Sequence, residues 1–188
     1  MKIIYVEDKE VDAIYFENSI VKLNELIHMN EANLKKIYHP IYEKNIIKNI
    51  LEIQSRMDGD EFCYVWYQSK QALISGLELM SENDIKDIKG IFLDIVLTND
   101  EINNQQNEHI KTYSSYTAKS IYAYVLNIPK RICFVTSLKF FDDIEPVFVG
   151  EEKSVYYMGY ISKDVYYKMG NDVYPTFEFI SMIMKILE

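Results

Sequence analysis

Five polar side chains stand where short apolar runs give out. Glu7 and Asp8 follow "KIIYV", Asp94 follows "GIFL", Thr136 sits in "RICFVTS" and Lys163 comes just after "VYYMGYI". Acids, a hydroxyl and an amine form a set with a defined chemistry. Three carboxylates repel one another unless a cation neutralises them, and oxygen ligands with open positions suit Mg²⁺. An ammonium and a hydroxyl on the opposite side cradle a phosphoryl oxygen. One carboxylate, Asp94, is then the nucleophile that attacks phosphorus.

Each residue also has a plainer reading. Burying a lone charge is costly, so Asp94 either caps the loop that follows its strand or faces a crevice at the sheet's edge. An acidic pair before a helix is an ordinary cap, Thr136 suits a cap, and Lys163 suits a solvated turn. What favours a site is the coincidence of these groups at four strand ends.

The chain alternates strand and helix. "KIIYV" is the first strand. Val11, Ile14, Tyr15, Ile20, Leu23 and Ile27 recur at helical spacing after it. Pro40 breaks this pattern, and a second helix is expected over 41–57. "EFCYVWY" (61–67) is a strand, 68–80 a helix, and 91–97 a doubly buried strand. Residues 98–112 are polar and Asn/Gln-rich, a long loop or helix extension. A helix over 114–127 leads to the strand "RICFVTS". Residues 140–154 fit a short helix or a loop equally. "VYYMGYI" is the last strand, a polar stretch runs to Tyr174, and Pro175 is placed to open a final helix. Strand–helix alternation with one extra helix early predicts an α/β fold, a parallel sheet with helices on both faces. No repeat or linker divides residues 1–188, so a single domain is expected, with an insertion at about 29–60.

Hydrophobic residues make up 48% of the 188, enough for a real core. A net charge of −9 argues against direct nucleic-acid binding. Cys63 and Cys133 both lie in apolar runs, and two buried thiols suit a reducing cytoplasm. The N-terminus does not read as a signal peptide, and no run approaches a membrane span. His28, His39 and His109 show no metal-ligand spacing.

At "IIYVED", "IFLDIVL", "CFVTS" and "GYISKD" the chain resembles the receiver domain of two-component response regulators. That resemblance implies a flavodoxin-like doubly wound five-stranded parallel sheet in the order 2-1-3-4-5. It implies Mg²⁺ held by Glu7, Asp8, Asp94 and the backbone carbonyl of Val96, with Asp94 as phosphoacceptor. It implies too that Thr136 moves toward the phosphoryl group, that Lys163 pairs with it, and that Tyr160 is the aromatic switch residue. The implied partners are a sensor histidine kinase or phosphotransfer protein and a downstream protein target. The resemblance also implies that the chain catalyses only its own phosphorylation and dephosphorylation. Asp164 follows Lys163 where the family usually has proline, and "TNDEINNQQ" lacks the usual Pro and Gly.

The insertion is expected to pack on the domain's own flank. The last helix is apolar nearly all round, so a second face is expected to pair with another chain, as a homodimer or with a partner. With no output module after that helix, protein–protein contact is the expected output. Two other readings stay open: an interaction module that signals without phosphorylation, and a phosphatase using Asp94. The second needs an acid two residues on, where Val96 stands.

Overall fold

The first strand shows how the fold is set. In β1 (Lys2–Val6) successive side chains point to opposite faces, so Ile3 and Tyr5 enter one core while Ile4 and Val6 enter another. A strand buried on both faces must lie inside a sheet covered on both sides. The computed structural model describes residues 1–38, 43–95, 119–136, 145, 149, 154–169 and 172–188, excepting the side chains of 43, 44 and 169. It has β2 (Cys63–Tyr67), β3 (Ile88–Asp94), β4 (Arg131–Thr136) and β5 (Tyr157–Ser162) beside β1, all parallel, in the order β2-β1-β3-β4-β5. This is the expected flavodoxin-like doubly wound topology.

One face carries α1 (Glu10–Ile27), α3 (Glu43–Met57) and the C-terminal helix α6 (Phe177–Ile186). Its centre is Phe16 of α1, whose ring lies 4.4 Å from Tyr5, 5.0 Å from Phe92 and 5.2 Å from Phe179. The other face carries Leu73 and Leu77 of α4 (Lys70–Glu78) and Ile121 and Val125 of the helical residues 119–125.

Several expectations are corrected. The early insertion holds two helices, not one: α2 (Glu31–Ile37), capped by the Asn30 side chain, precedes α3. A short helix α5 (Glu82–Asp87), opened by a Ser81 capping box, leads into β3, so that strand spans 88–94 rather than 91–97. The polar stretch after Lys163 is an antiparallel hairpin, β6 (Tyr166–Met169) with β7 (Asp172–Pro175). It lies on α1, where Tyr166 stacks on Tyr15 at 4.6 Å. Pro175 ends this hairpin, and Thr176 caps α6 instead. Cys63 is exposed at the start of an edge strand, and only Cys133 is buried. Val11 and Ile14 face outward, 54% and 45% exposed, and Ala13, Phe16 and Ile20 take the core positions.

The apolar girth of α6 has an internal explanation. Its sheet-facing residues meet the core, and α3 covers a second side, where Asn49 donates to the Ser181 hydroxyl at 3.0 Å. The insertion packs on the flank as expected and covers much of the apolar girth from which a dimer was inferred, while Phe177 stays 42% exposed. Gly90 lets α6 sit this close, because a Cβ there would lie 2.8 Å from Cδ1 of Ile186 and 3.4 Å from its Cγ2. Gly90→Val is therefore expected to lower stability by about 1–3 kcal/mol by overpacking, read as a lower urea midpoint at unchanged m-value.

The helix expected over 114–127 is described only from 119. The loop at 98–112, most of 140–154, His39, His109 and Val96 lie outside the described residues.

Candidate functional site

Parallel pairing brings the C-terminal ends of the strands to one edge. Val6 is in register with Leu93, Asp94 with Val135, and Thr136 with Ser162. Alternation along the strands gives Tyr5, Glu7 and Asp94 the parity of the α1 face. Lys163 follows Ile161 with the same parity. The bulge in β5 sets that parity. Gly159 has φ +110, and the register against β4 shifts between Ile132 and Phe134. An added residue without such a bulge would turn Lys163 to the other face.

Glu7, Asp8 and Asp94 offer carboxylate oxygens within 4.8 Å of one another, and all three residues are buried. Lys163 reaches into the group. Its Nζ lies 2.7 Å from Glu7 Oε2 and 3.0 Å from Asp94 Oδ2. Thr136 is buried at the end of β4, and its carbonyl accepts from the Lys163 amide at 3.0 Å. Strand alternation puts Thr136 on the face that holds Phe134, the register partner of half-buried Tyr160. The described residues among the sequence-predicted set therefore gather at one edge.

Four further contributors were not picked out from the sequence. Asp12, in the first turn of α1, is a third carboxylate on Lys163, at 3.0 Å. The Tyr5 phenol donates to Glu7 Oε2 at 2.8 Å. The Trp66 indole donates to the Glu7 carbonyl at 2.6 Å, and the Lys9 amide donates to Glu7 Oε1 at 3.0 Å. A signal for Tyr5 was present, since residues two apart in a strand share a face. Asp12 lies four residues beyond Asp8, close to the helix start that the strand end feeds.

The loop after Lys163 shows how the chain manages without proline there. The Val165 amide donates to the Lys163 carbonyl at 2.7 Å, closing a tight turn over Asp164, whose own amide donates to the Ser162 hydroxyl at 3.1 Å. Val165 is buried in the α1-side core, and its carbonyl accepts from the Thr176 amide at 2.9 Å. The turn is thus anchored at both ends.

The electrostatics follow from the crowding. Burial, then the neighbouring Asp94 charge, raises Glu7 to about 7, with Lys163 pulling the other way. Burial disfavours the Lys163 charge, but Asp94 and Glu7 outweigh it and hold the ammonium above its usual pKa. Burial and the nearby Glu7 and Asp94 keep the Tyr5 phenol protonated, as a donor to Glu7 must be.

Three hard oxygen donors packed together, with Lys163 bearing a single positive charge between them, fit a divalent cation of the Mg²⁺ type. The Val96 carbonyl, the fourth expected ligand, is among the residues not described.

No family model matches the chain, and no curated protein matches it. Among solved structures it is similar to the N-terminal domain of a response regulator/sensory box/GGDEF 3-domain protein from Carboxydothermus hydrogenoformans. The identity is 14% and the TM-score 0.47, over 100% of this chain and 94% of that one. A likeness of that degree leaves the fold to the strand order and the function to the site's own residues. No helix among the described residues is long and apolar enough to cross a membrane.

Proposed function

We propose that the chain is a phosphoacceptor receiver domain of a two-component system, phosphorylated on Asp94. The observation that carries this reading is the meeting of Glu7, Asp8, Asp94 and Lys163 at one sheet edge, all but the lysine fully or nearly buried. A purely structural ion pair needs one acid for one lysine. A surplus of buried carboxylates is costly unless the site exists to take up positive charge.

In this reading Glu7, Asp8 and Asp94 hold Mg²⁺, which neutralises charge on the transferred phosphoryl oxygens. An Asp94 carboxylate oxygen attacks the phosphorus and the bond from phosphorus to the donor breaks, its electron pair going to the leaving group, which departs as a carboxylate from acetyl phosphate or as an imidazole carrying a proton from a phosphohistidine, and an acyl phosphate forms. Lys163, already against Asp94, pairs with the new anion. The Thr136 hydroxyl donates to it, and Tyr160, on the same face, follows Thr136 into the space it leaves. Tyr5 and the Lys9 amide orient Glu7 throughout.

The phosphodonor is a sensor histidine kinase or phosphotransfer protein in the cytoplasm. The output is contact with a downstream protein, and no independent substrate is turned over. Incubation with acetyl phosphate and Mg²⁺ is expected to add the mass of one phosphoryl group to the intact protein, and beryllofluoride with Mg²⁺ to give a stable complex. If neither an adduct nor a complex forms, Asp94 is not a phosphoacceptor.

A further inference from the structure

The opposite edge of the sheet gathers charge of the other sign. Lys86 lies in the last turn of α5, Lys89 is the second residue of β3, Lys130 precedes β4 and Arg131 opens it, and Tyr156 precedes β5. Together they line an open surface depression of about 470 Å³. Four cations around one depression stand out in a chain of net charge −9.

Little of their charge is cancelled by direct contact, although Asp87 attracts Lys130 from a distance. Among the described residues none of the four lies within ion-pair distance of a carboxylate. Two acids of α5 are engaged elsewhere, Asp84 with Lys2 and Asp87 with the N-terminal ammonium at 3.6 Å. Two of the cations are instead positioned by neutral acceptors. Lys130 Nζ donates to the Lys86 carbonyl at 3.0 Å, and Arg131 Nη1 donates to the Val155 carbonyl at 3.1 Å. A carbonyl fixes direction without cancelling charge. Burial, then the adjacent Lys89, holds Lys130 below its usual pKa, a repulsion that a bound anion relieves.

We infer that this depression binds a small polyphosphate anion, at the edge of the sheet remote from Asp94. An open depression of this size seats a small anion at the surface. Clustered lysines with an arginine fork suit phosphate oxygens, and half-buried Tyr156 lines the same depression. A long polyanion is disfavoured by the net negative charge of the whole chain. The anion comes either from a nucleotide or from free polyphosphate, and the chemistry at the cations is the same.

The test is calorimetric titration of the full chain with ATP and, separately, with tripolyphosphate. EDTA is present so that the acidic cluster cannot recruit phosphate through a metal. Saturable 1:1 binding of at least one probe is expected, weakening as salt is added. Tighter binding of ATP assigns the nucleotide as source, and equal or tighter binding of tripolyphosphate assigns the free anion. The double variant Lys89→Gln/Lys130→Gln is expected to bind at least about tenfold more weakly. Should it not fold by circular dichroism, Lys86→Gln, on an exposed side chain, is expected to show a smaller loss in the same direction. Asp94→Asn is expected to leave binding unchanged, which separates this site from the phosphoacceptor reading. No saturable binding of either probe, or affinity unchanged in the lysine variants, overturns the assignment.

Discussion

Lys163→Met is expected to lower the unfolding free energy by about 3–5 kcal/mol in EDTA at pH 8, the range for breaking a buried pair and leaving charge behind. Among the described residues Lys163 is the cation in contact with Glu7 and Asp94, and its side chain is only 14% exposed. Removing it leaves buried carboxylates facing one another. Two features of the loss identify its cause. The first is pH. Glu7 titrates near 7 in the folded chain, above its ordinary 4.5. A folded-state pKa raised in this way gives stability that is complete below the unfolded value and is lost as pH rises through the folded one. Without the lysine that value rises further, so near pH 5 Glu7 takes a proton and the repulsion falls. The penalty of the variant is therefore expected to be smaller at pH 5 than at pH 8. The second is the metal. A divalent ion bound only by the folded chain stabilises by about 2.7 kcal/mol at a hundred times its Kd, and the variant lacks the competing ammonium. Mg²⁺ is expected to recover more stability in the variant than in the parent, as measured by urea denaturation. An equal loss at both pH values, unmoved by Mg²⁺, would mean that the lysine serves packing rather than charge.

The sheet was legible because its strands are short, apolar and separated by helical spacing, and because parallel strands buried on both faces leave few other arrangements. Asp94 was legible for a related reason: a carboxylate in the run "IFLDIVL" breaks an otherwise apolar pattern. The hairpin at 166–175 was missed although "YYKMGNDVY" contains a signal, two strand-like runs around Gly-Asn. Its polar residues outweighed that signal, since a small hairpin lying on α1 needs few apolar contacts, supplied here by Val165, Tyr166, Tyr167 and Tyr174. Val11 and Ile14 illustrate the reverse error. They fit the helical period of α1 but belong to the wrong stripe, and periodicity alone does not say which stripe meets the sheet. The short Ala13 was passed over, yet it is 1% exposed and fits the close approach of helix to sheet.

Partners of α6 were also beyond the sequence. Its apolar girth implied a covering surface without saying whose, and the answer, α3, lies more than a hundred residues earlier. Asp12 escaped for a similar reason. Its bond to Lys163 spans 151 residues, and nothing local marks it among the acids of α1. Residues fixed by their own strand were readable, whereas those fixed by a second element meeting them in space were not.

Asp94→Asn is expected to abolish phosphoryl transfer from acetyl phosphate completely, because an amide oxygen cannot form the acyl phosphate. Its effect on stability should be opposite in character to that of Lys163→Met. The substitution removes one carboxylate from a crowded group of three, and Lys163 keeps Glu7 at 2.7 Å and Asp12 at 3.0 Å. The charge left behind is better compensated than before, so stability in EDTA is expected to hold or rise. Glu7 loses a neighbour that raises its pKa and should titrate lower. Divalent binding moves the other way. With two carboxylates and an amide instead of three carboxylates, Mg²⁺ affinity is expected to fall by at least about tenfold, read as a rightward shift in the Mg²⁺ dependence of the melting temperature. The three changes together are specific: no phosphoryl adduct, weaker metal and an undiminished fold. A phosphoryl adduct persisting on the variant would move the acceptor to another acid of the cluster, Glu7 or Asp8. Unchanged Mg²⁺ affinity would remove residue 94 from the metal site, and with it the link between the buried acids and phosphoryl chemistry.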